Sequence, residues 1–127
     1  MIETLFSQSN YLAAKKLLDA SMVRHEAIAS NLANVETPGY KRLDLAPGFA
    51  ETLREAIVSQ DGKRIQAMQP LVVVDKEAVA HGRDGNTVQL ETELAELSQN
   101  SVEHSLETRL VTGTLLKLRM AILGRPI

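Results

Sequence analysis

The chain has 127 residues, with 14 Lys and Arg against 16 Asp and Glu, which gives a formal net charge of −2. This balance argues against charge-driven binding to nucleic acid, which needs a basic face. The absence of cysteine excludes disulfides, thiolate metal sites and thiol nucleophiles.

The length predicts one domain, residues 1–127. The N-terminal stretch has no basic start followed by an apolar core, so we do not expect a cleaved secretory signal. No apolar run reaches the roughly 18 residues of a membrane span. The chain has two Phe, two Tyr and no Trp, while apolar residues make up 44%. This mixture favours long helices packed side by side.

The first predicted element is a long helix over residues 9–36. Its seam positions recur at alternating steps of three and four, which is the heptad pattern of a helix that packs along one line. The seam contains Tyr11, Ala14, Leu18, Ser21, His25, Ile28, Leu32 and Val35.

The end of this helix carries two features that need separate explanations. Pro38 disfavours helical geometry at the preceding residue, and Pro-Gly puts Gly39 at the position of a type II turn that needs a positive φ. The turn does not explain Asn31 and Asn34, because Asn is a poor residue inside a helix. Three interpretations stay open: a plain helix stop, amides that bond the backbone of a neighbouring segment and fix its register, and a small-ligand site.

The middle region, residues 37–86, is predicted to contain only short elements. A helix over residues 47–59 has one apolar face, a turn follows it, and a β-branched stretch after Pro70 indicates a strand. Residues 62–86 are expected to be extended and are candidates for mobility, and Asn86 is a candidate cap for the next helix. The segments are, in order, the helical face Phe49, Leu53, Ala56 and Ile57, the turn Asp61-Gly62, the strand Leu71–Val74 and the loop His81–Asn86.

The last predicted element is a helix over residues 87–123, ended by Gly124-Arg125-Pro126. The middle of its seam is polar, and a second apolar row lies beside that polar part. The apolar surface therefore shifts around the helix along its length, which is typical of a helix with more than one packing partner. The seam is Leu90, Leu94, Leu97, Ser101, His104, Thr108, Val111, Leu115, Leu118 and Ile122, and the second row is Val102, Leu106 and Leu110.

The predicted fold class is mainly α and elongated. The two long terminal helices pair as a coiled-coil-like unit, with a short middle helix and an extended central region. These helices carry too few large apolar side chains for a self-sufficient core, so we expect other copies or relatives to complete their seams. The predicted subunit-interface residues are Leu18, Ile28, Leu32, Val35, Leu90, Leu94, Leu97, Val111, Leu115, Leu118 and Ile122.

No catalytic, cofactor-binding or metal site is predicted. His25 and His104 lie on the two seams and could face one another, but neither they nor His81 has a third ligand at a fixed spacing, so polar residues at a helix interface are the favoured interpretation. No phosphate-binding loop or nucleophile motif is present. The carboxylates of the last helix are expected to spread around a solvated surface. They are Glu91, Glu93, Glu96, Glu103 and Glu107.

The stretch Asn31-Leu32-Ala33-Asn34-Val35-Glu36-Thr37-Pro38-Gly39-Tyr40-Lys41 resembles the N-terminal signature of flagellar basal-body rod and hook proteins. That signature is Asn-x-Ala-Asn, two variable residues, then Thr-Pro-Gly-Tyr/Phe-Lys. The chain is short, and Asp84–Glu91 is similar to the Gly-Asn-x-Val-x-Leu/Met-acidic entry to the last helix of the proximal rod proteins. The motif positions are Asn31, Ala33, Asn34, Thr37, Pro38, Gly39, Tyr40 and Lys41.

The resemblance implies a structural protein with no enzymatic activity and no cofactor. Such proteins self-assemble through their terminal helices into the hollow drive shaft of the bacterial flagellum, which motility requires. The implied partners are other rod subunits, the membrane-ring adaptor and the flagellar type III export apparatus, with no nucleic acid and no small-molecule substrate. The implied location is the periplasmic rod, reached without a cleaved signal. The alternatives are a small helical adaptor or export chaperone for axial proteins, or another short proximal rod protein.

Overall fold

The computed structural model describes residues 9–124, without the side chain of Leu118. The first eight residues and the Arg125-Pro126 part of the predicted helix stop lie outside the described residues. The fold is mainly α, which confirms the predicted class. Its elements are α1 (Ser9–Ala33), β1 (Leu43–Leu45), α2 (Phe49–Val58), α3 (Gly62–Ala67), β2 (Val72–Val74) and α4 (Leu90–Leu123).

The long helices α1 and α4 pack against each other in opposite directions. Near the start of α4, Glu93 contacts Asn31 late in α1, and further along α4, Asn100 bonds to Ser21 nearer the middle of α1. The contact partners therefore run backwards along α1 as they run forwards along α4. The helix pairing expected from the two heptad patterns is present, in antiparallel form.

Both long helices are shorter than predicted at their inner ends. Helix α1 ends at Ala33 rather than at residue 36, because the chain leaves the helix in a series of turns. Helix α4 begins at Leu90 rather than at residue 87, because Gln89 is still extended, with φ −115° and ψ 123°. The outer end of α4 agrees with the prediction, since Gly124 adopts a left-handed conformation with φ 66°.

The two strands form an antiparallel ribbon in which Leu43 pairs with Val74, and Leu45 pairs with Val72. The strand predicted around residues 71–74 is therefore confirmed as β2. Strand β1 was not predicted, because Leu43-Asp44-Leu45 lacks the β-branched residues that indicated β2.

A small apolar core lies where α1 meets the two middle helices. The apolar face predicted for the first middle helix is confirmed, because Leu53 and Ala56 are buried while Phe49 and Ile57 pack around them. Helix α3 was not predicted. Asp61, which was predicted to lie in a turn, is instead the N-cap residue of this helix. The buried residues are Ala13, Leu53, Ala56 and Ile65, with Leu12, Leu17, Phe49, Ile57 and Met68 packed against them.

Within residues 9–124, no helix combines the length and the apolar character needed to cross a lipid bilayer.

Candidate assembly surface

Asn31 joins α1 to the strand ribbon. Its side-chain nitrogen donates to the Leu43 carbonyl at 2.8 Å, and its side-chain oxygen accepts from the Leu43 N–H at 2.9 Å. The same nitrogen lies 3.2 Å from a carboxylate oxygen of Glu93 on α4. Of the three interpretations of the asparagines, the register role is the one that Asn31 fulfils: it fixes β1 against α1 within the subunit.

The Pro-Gly turn has the predicted geometry. Gly39 has φ +73°, and the Tyr40 N–H donates to the Thr37 carbonyl at 3.2 Å, which closes a β-turn. The turn also docks on the segment that leads into α4, because the Gly39 N–H donates to the Asp84 carbonyl at 2.8 Å. The motif thus connects the end of α1 to the approach to α4.

Asn86 bonds to the turns that follow α1 and does not cap the predicted helix. Its side-chain nitrogen lies 2.8–3.1 Å from the backbone carbonyls of Asn34, Val35 and Thr37, which follow the last residue of α1. Its side-chain oxygen accepts from the Val88 N–H at 2.8 Å. The prediction that it caps α4 is wrong, because α4 begins further along the chain and the amide nitrogen turns toward these three carbonyls.

The other motif residues stabilise the same junction. The Tyr40 hydroxyl lies 2.8 Å from the Ser30 hydroxyl of α1, and the Lys41 ammonium donates to the Gly85 carbonyl at 3.0 Å. Asn34 behaves as a helix stop, since its side chain donates to the carbonyl one turn back and accepts from the Thr37 hydroxyl at 3.1 Å. The remaining motif residues, Ala33 and Pro38, are exposed.

A buried ion-pair network lies beneath this junction, and sequence reasoning missed it. Arg42 follows the motif and is buried, and its guanidinium bonds to Glu93, which is fully buried on α4. The same guanidinium donates at 2.9 Å to both Asp44 and Asp75. Although burial disfavours the charged form, these bonds and the charges of Glu93 and Asp44 raise the pKa of Arg42.

Arg24 extends the network along α1. Its guanidinium bonds to Glu96 on α4, and it lies 3.2 Å from a carboxylate oxygen of Asp44 on β1. Burial acts to raise the pKa of Asp44, but the hydrogen bonds from Arg42 and Leu45 and the charges of both arginines lower it. Two arginines thus tie α1, β1, β2 and α4 together at one place.

The face of α4 that meets α1 is polar. Asn100 is 1% exposed and donates to the Ser21 carbonyl at 2.9 Å, and Glu93 is fully buried one heptad earlier. The prediction that the α4 carboxylates spread around a solvated surface is wrong for four of them, because they occupy this inner face. Glu93 is buried and Glu96, Glu103 and Glu107 are half-buried, while Glu91 is exposed as predicted.

The histidines lie near this face. His104 on α4 approaches the Ser21 hydroxyl, with 3.2 Å between the ring Nδ1 and the oxygen. His25 lines the same groove between the two helices as His104. In the described part of the chain, no group of three or more His, Cys, Asp or Glu residues is arranged to hold a metal ion.

Helix α4 exposes many large apolar side chains. Leu94 is 48% exposed and Leu115 is 42% exposed, although both belong to the predicted seam. We call the exposed apolar side chains of this helix the outer apolar set. It contains Leu90, Leu94, Val102, Leu106, Leu110, Leu115, Leu116, Met120, Ile122 and Leu123.

The other predicted interface residues divide into two groups. Ile28 is fully buried inside the subunit, so the interface role predicted for it is corrected to a role in the interior. The side chain of Leu118 lies outside the described residues. The half-buried positions, which keep some surface for a neighbour, are Leu18, Leu32, Val35, Leu97 and Val111.

Comparisons with known proteins agree on one family. A family model described as flagella basal body rod protein matches residues 18–41, which include the motif. The flagellar basal body rod protein FlgB of Aquifex aeolicus is 32% identical over 114 residues, covering 87% of this chain and 90% of that protein. FlgB of Aeromonas hydrophila is 28% identical over 111 residues, covering 80% and 83%, and FlgB of Escherichia coli is 24% identical over 119 residues, covering 80% and 83%.

Proposed function

The chain belongs to the FlgB family of flagellar basal-body rod proteins and is a structural subunit of that rod, and from this premise we propose that it assembles by burying the outer apolar set against neighbouring subunits. The observation that carries this proposal is the burial pattern of α4, in which Glu93 and Asn100 are buried while the outer apolar set is exposed. A large exposed apolar surface is characteristic of a protein–protein contact. Each leucine or valine that becomes fully buried contributes about 1.5–3 kcal/mol.

The motif residues act within the subunit under this proposal. Asn31, Gly39 and Asn86 bond to backbone that belongs to other elements of the same chain. Such bonds fix the angle between α1, the strand ribbon and the start of α4. We infer that the motif presents the outer apolar set in one orientation, so that neighbouring subunits meet a preorganised surface.

Membership of the family supports a proposal about the specific partners of the chain and about its location. We infer that the neighbours are further copies and related axial proteins, and that the subunit also meets the membrane-ring adaptor. We place the assembled chain in the periplasmic part of the rod, delivered by the flagellar type III export apparatus without a cleaved signal. An adaptor or export chaperone is not favoured, because the relatives reported above are rod proteins.

The test replaces one exposed leucine with a charge. In a strain that lacks the chromosomal copy, Leu94→Asp and Leu115→Asp should abolish swimming and remove the rod from purified basal bodies, because an unpaired carboxylate would enter an apolar contact. The purified variants should unfold at the wild-type urea concentration, since both side chains are exposed in the free subunit.

Leu94→Met is the matched control, because it preserves an apolar side chain of similar volume. Cells that carry it should swim. Normal swimming of both aspartate variants would contradict the proposed assembly surface. Recovery of the wild-type chain only in the cytoplasm, bound to unassembled axial proteins, would support the chaperone alternative.

A further inference from the structure

A groove with unused hydrogen-bond acceptors lies between α1, α4 and the start of α2. Its volume is about 330 Å³. Asn100 and Glu107 both line it, and Asn100 Oδ1 and Glu107 Oε2 are buried atoms that accept no hydrogen bond from the described residues. A buried acceptor without a donor costs free energy, so native proteins rarely leave two of them together.

The groove is also negative. Glu103 lines it beside Glu107, and the one arginine in its wall, Arg24, is already bonded to Asp44 and Glu96. Burial raises the pKa of the Glu107 carboxyl and the charge of Glu103 adds to that shift, while a hydrogen bond from Ser21 and the charge of His104 oppose it. The net shift is upward, so burial outweighs the compensation that Glu107 receives within the subunit.

Most of the remaining wall is apolar. Leu17, Leu45 and Phe49 are among the residues that line the groove. A lysine or arginine side chain matches this combination, because its hydrocarbon stem packs on apolar walls while its charged end donates several hydrogen bonds. The carboxylates of Glu103 and Glu107, which line the groove, then gain a counter-charge.

The chain itself carries suitable donors in the C-terminal half of α4. Residues 87–107 contain five Glu and no Lys or Arg, whereas residues 108–127 contain four Lys or Arg and no Asp or Glu. Arg109, Lys117 and Arg119 are exposed. None of these three forms an ion pair with another residue in the range 9–124.

We propose that the groove receives Arg109, Lys117 or Arg119 from a second copy of this chain. The proposal rests on the proposed rod function and names one polar contact between neighbouring subunits. It joins the acidic half of α4 in one copy to the basic half of α4 in the next. Such charge pairing selects a register between copies, which apolar contacts alone specify weakly.

The absence of cysteine allows a direct test by disulfide trapping. One tagged copy carries Ala50→Cys at the exposed rim of the groove, and a second copy with a different tag carries a single cysteine at position 109, 117 or 119. Both are expressed in a strain that lacks the chromosomal copy. Because each copy has one thiol, every disulfide between the tags joins two copies. Pro47→Cys provides a second probe in the same wall.

We expect swimming cells to yield the mixed disulfide with at least one of the three basic positions. The control is Lys63→Cys, an exposed basic residue on α3, which should yield none. Adding Glu107→Lys to the Ala50→Cys copy should lower the yield about tenfold or more, because the new lysine repels the two of these three basic side chains that the neighbouring copy still carries.

The inference is overturned if swimming cells yield no mixed disulfide at any of the three positions, if Lys63→Cys traps equally well, or if Glu107→Lys has no effect. Trapping of Ala50→Cys on a different rod protein would also overturn it, since the occupant would not be a second copy. Swimming reports the rod function separately, so motile cells without the disulfide refute only this contact.

Discussion

The side chain of Asn31 pairs with the backbone of Leu43 as another strand would, donating at 2.8 Å and accepting at 2.9 Å. A side-chain amide has the donor and acceptor of a peptide group, so it satisfies the outer edge of β1 without a further strand. Because Asn31 is also in contact with Glu93, one residue holds three elements in register.

Removing this clamp should destabilise the free subunit. Asn31→Ala leaves the Leu43 N–H and carbonyl without these partners, and we expect a loss of about 2–4 kcal/mol in the free energy of unfolding. Asn31→Asp should also destabilise, because a carboxylate cannot donate to the carbonyl. Urea unfolding of the purified chain gives the values. Asn10→Ala, an exposed change on the same helix, is the control, and equal values for the two alanine variants would refute the clamp.

The buried ion pair between Arg42 and Glu93 predicts that substitutions at these two positions have non-additive effects on the free energy of unfolding. Arg42→Met leaves the fully buried Glu93 without its main counter-charge. We therefore expect a loss of about 3–5 kcal/mol in the free energy of unfolding. Adding Glu93→Leu should recover much of that loss, since no fully buried carboxylate is then left at position 93 without its counter-charge.

The exposed pair of Arg54 and Glu51 provides the control for this cycle. Both side chains are 71% exposed, so Arg54→Met should change stability by less than about 1 kcal/mol. A double variant as unstable as the sum of its single variants would show that the buried pair is not coupled.

Removing the charge of Glu107 should stabilise the free subunit by an amount that depends on pH. Its pKa is raised in the folded chain, so the folded state binds a proton more tightly than the unfolded state does. The group's contribution to stability therefore falls as the pH rises from the usual pKa of glutamate through the raised folded value.

Glu107→Gln should consequently stabilise the free subunit at neutral pH and have little effect in acid, where both states are protonated. Unfolding curves at pH 7 and pH 3 separate the two regimes. The exposed Glu91→Gln is the control. A destabilised Glu107→Gln variant at neutral pH would mean that the carboxylate already has a favourable partner inside the subunit.

Gly39→Val isolates the cost of backbone strain. Apart from its chain neighbours, no atom lies within 4 Å of a Cβ added at Gly39, so crowding of the Cβ adds no cost, whereas the φ of +73° penalises any residue other than glycine. We expect a loss of about 1 kcal/mol or more in unfolding free energy and weaker swimming.

Gly113→Ala should have the opposite effect on stability from Gly39→Val. That position also has open space around the added Cβ but lies inside α4, where alanine is favoured over glycine by about 1 kcal/mol. It should stabilise the chain. If Gly39→Val were as stable and motile as the parent, the turn would not require its left-handed residue.

The elements that sequence reasoning predicted are those with a local cause. A heptad pattern depends on neighbours three and four residues apart, so α1 and α4 were predicted from their spacing alone. The turn at Gly39 depends on two adjacent residues, and it has the expected φ. The short apolar face of α2 followed the same local rule.

The elements that it missed depend on distant partners. Glu93 reads as a surface residue until Arg42, far away in the chain, supplies its counter-charge. Asn86 precedes a predicted helix, so a cap for that helix was the local interpretation, whereas the carbonyls that it satisfies lie in the turns after α1. For the same reason heptad spacing located the apolar side chains of α4 but not the polar face that packs inside the subunit.

The clamp at Asn31 has a consequence for how this architecture tolerates variation in length. In most ribbons the connecting turn sets the register, but here residues 46–71 separate β1 from β2, and a side chain of α1 holds β1 in place. The loops of this connection outside α2 and α3, which form the apolar core with α1, can therefore change length at modest entropic cost without shifting the ribbon. Residues inserted there would protrude from the subunit, while the packing of the elements beneath them stays unchanged.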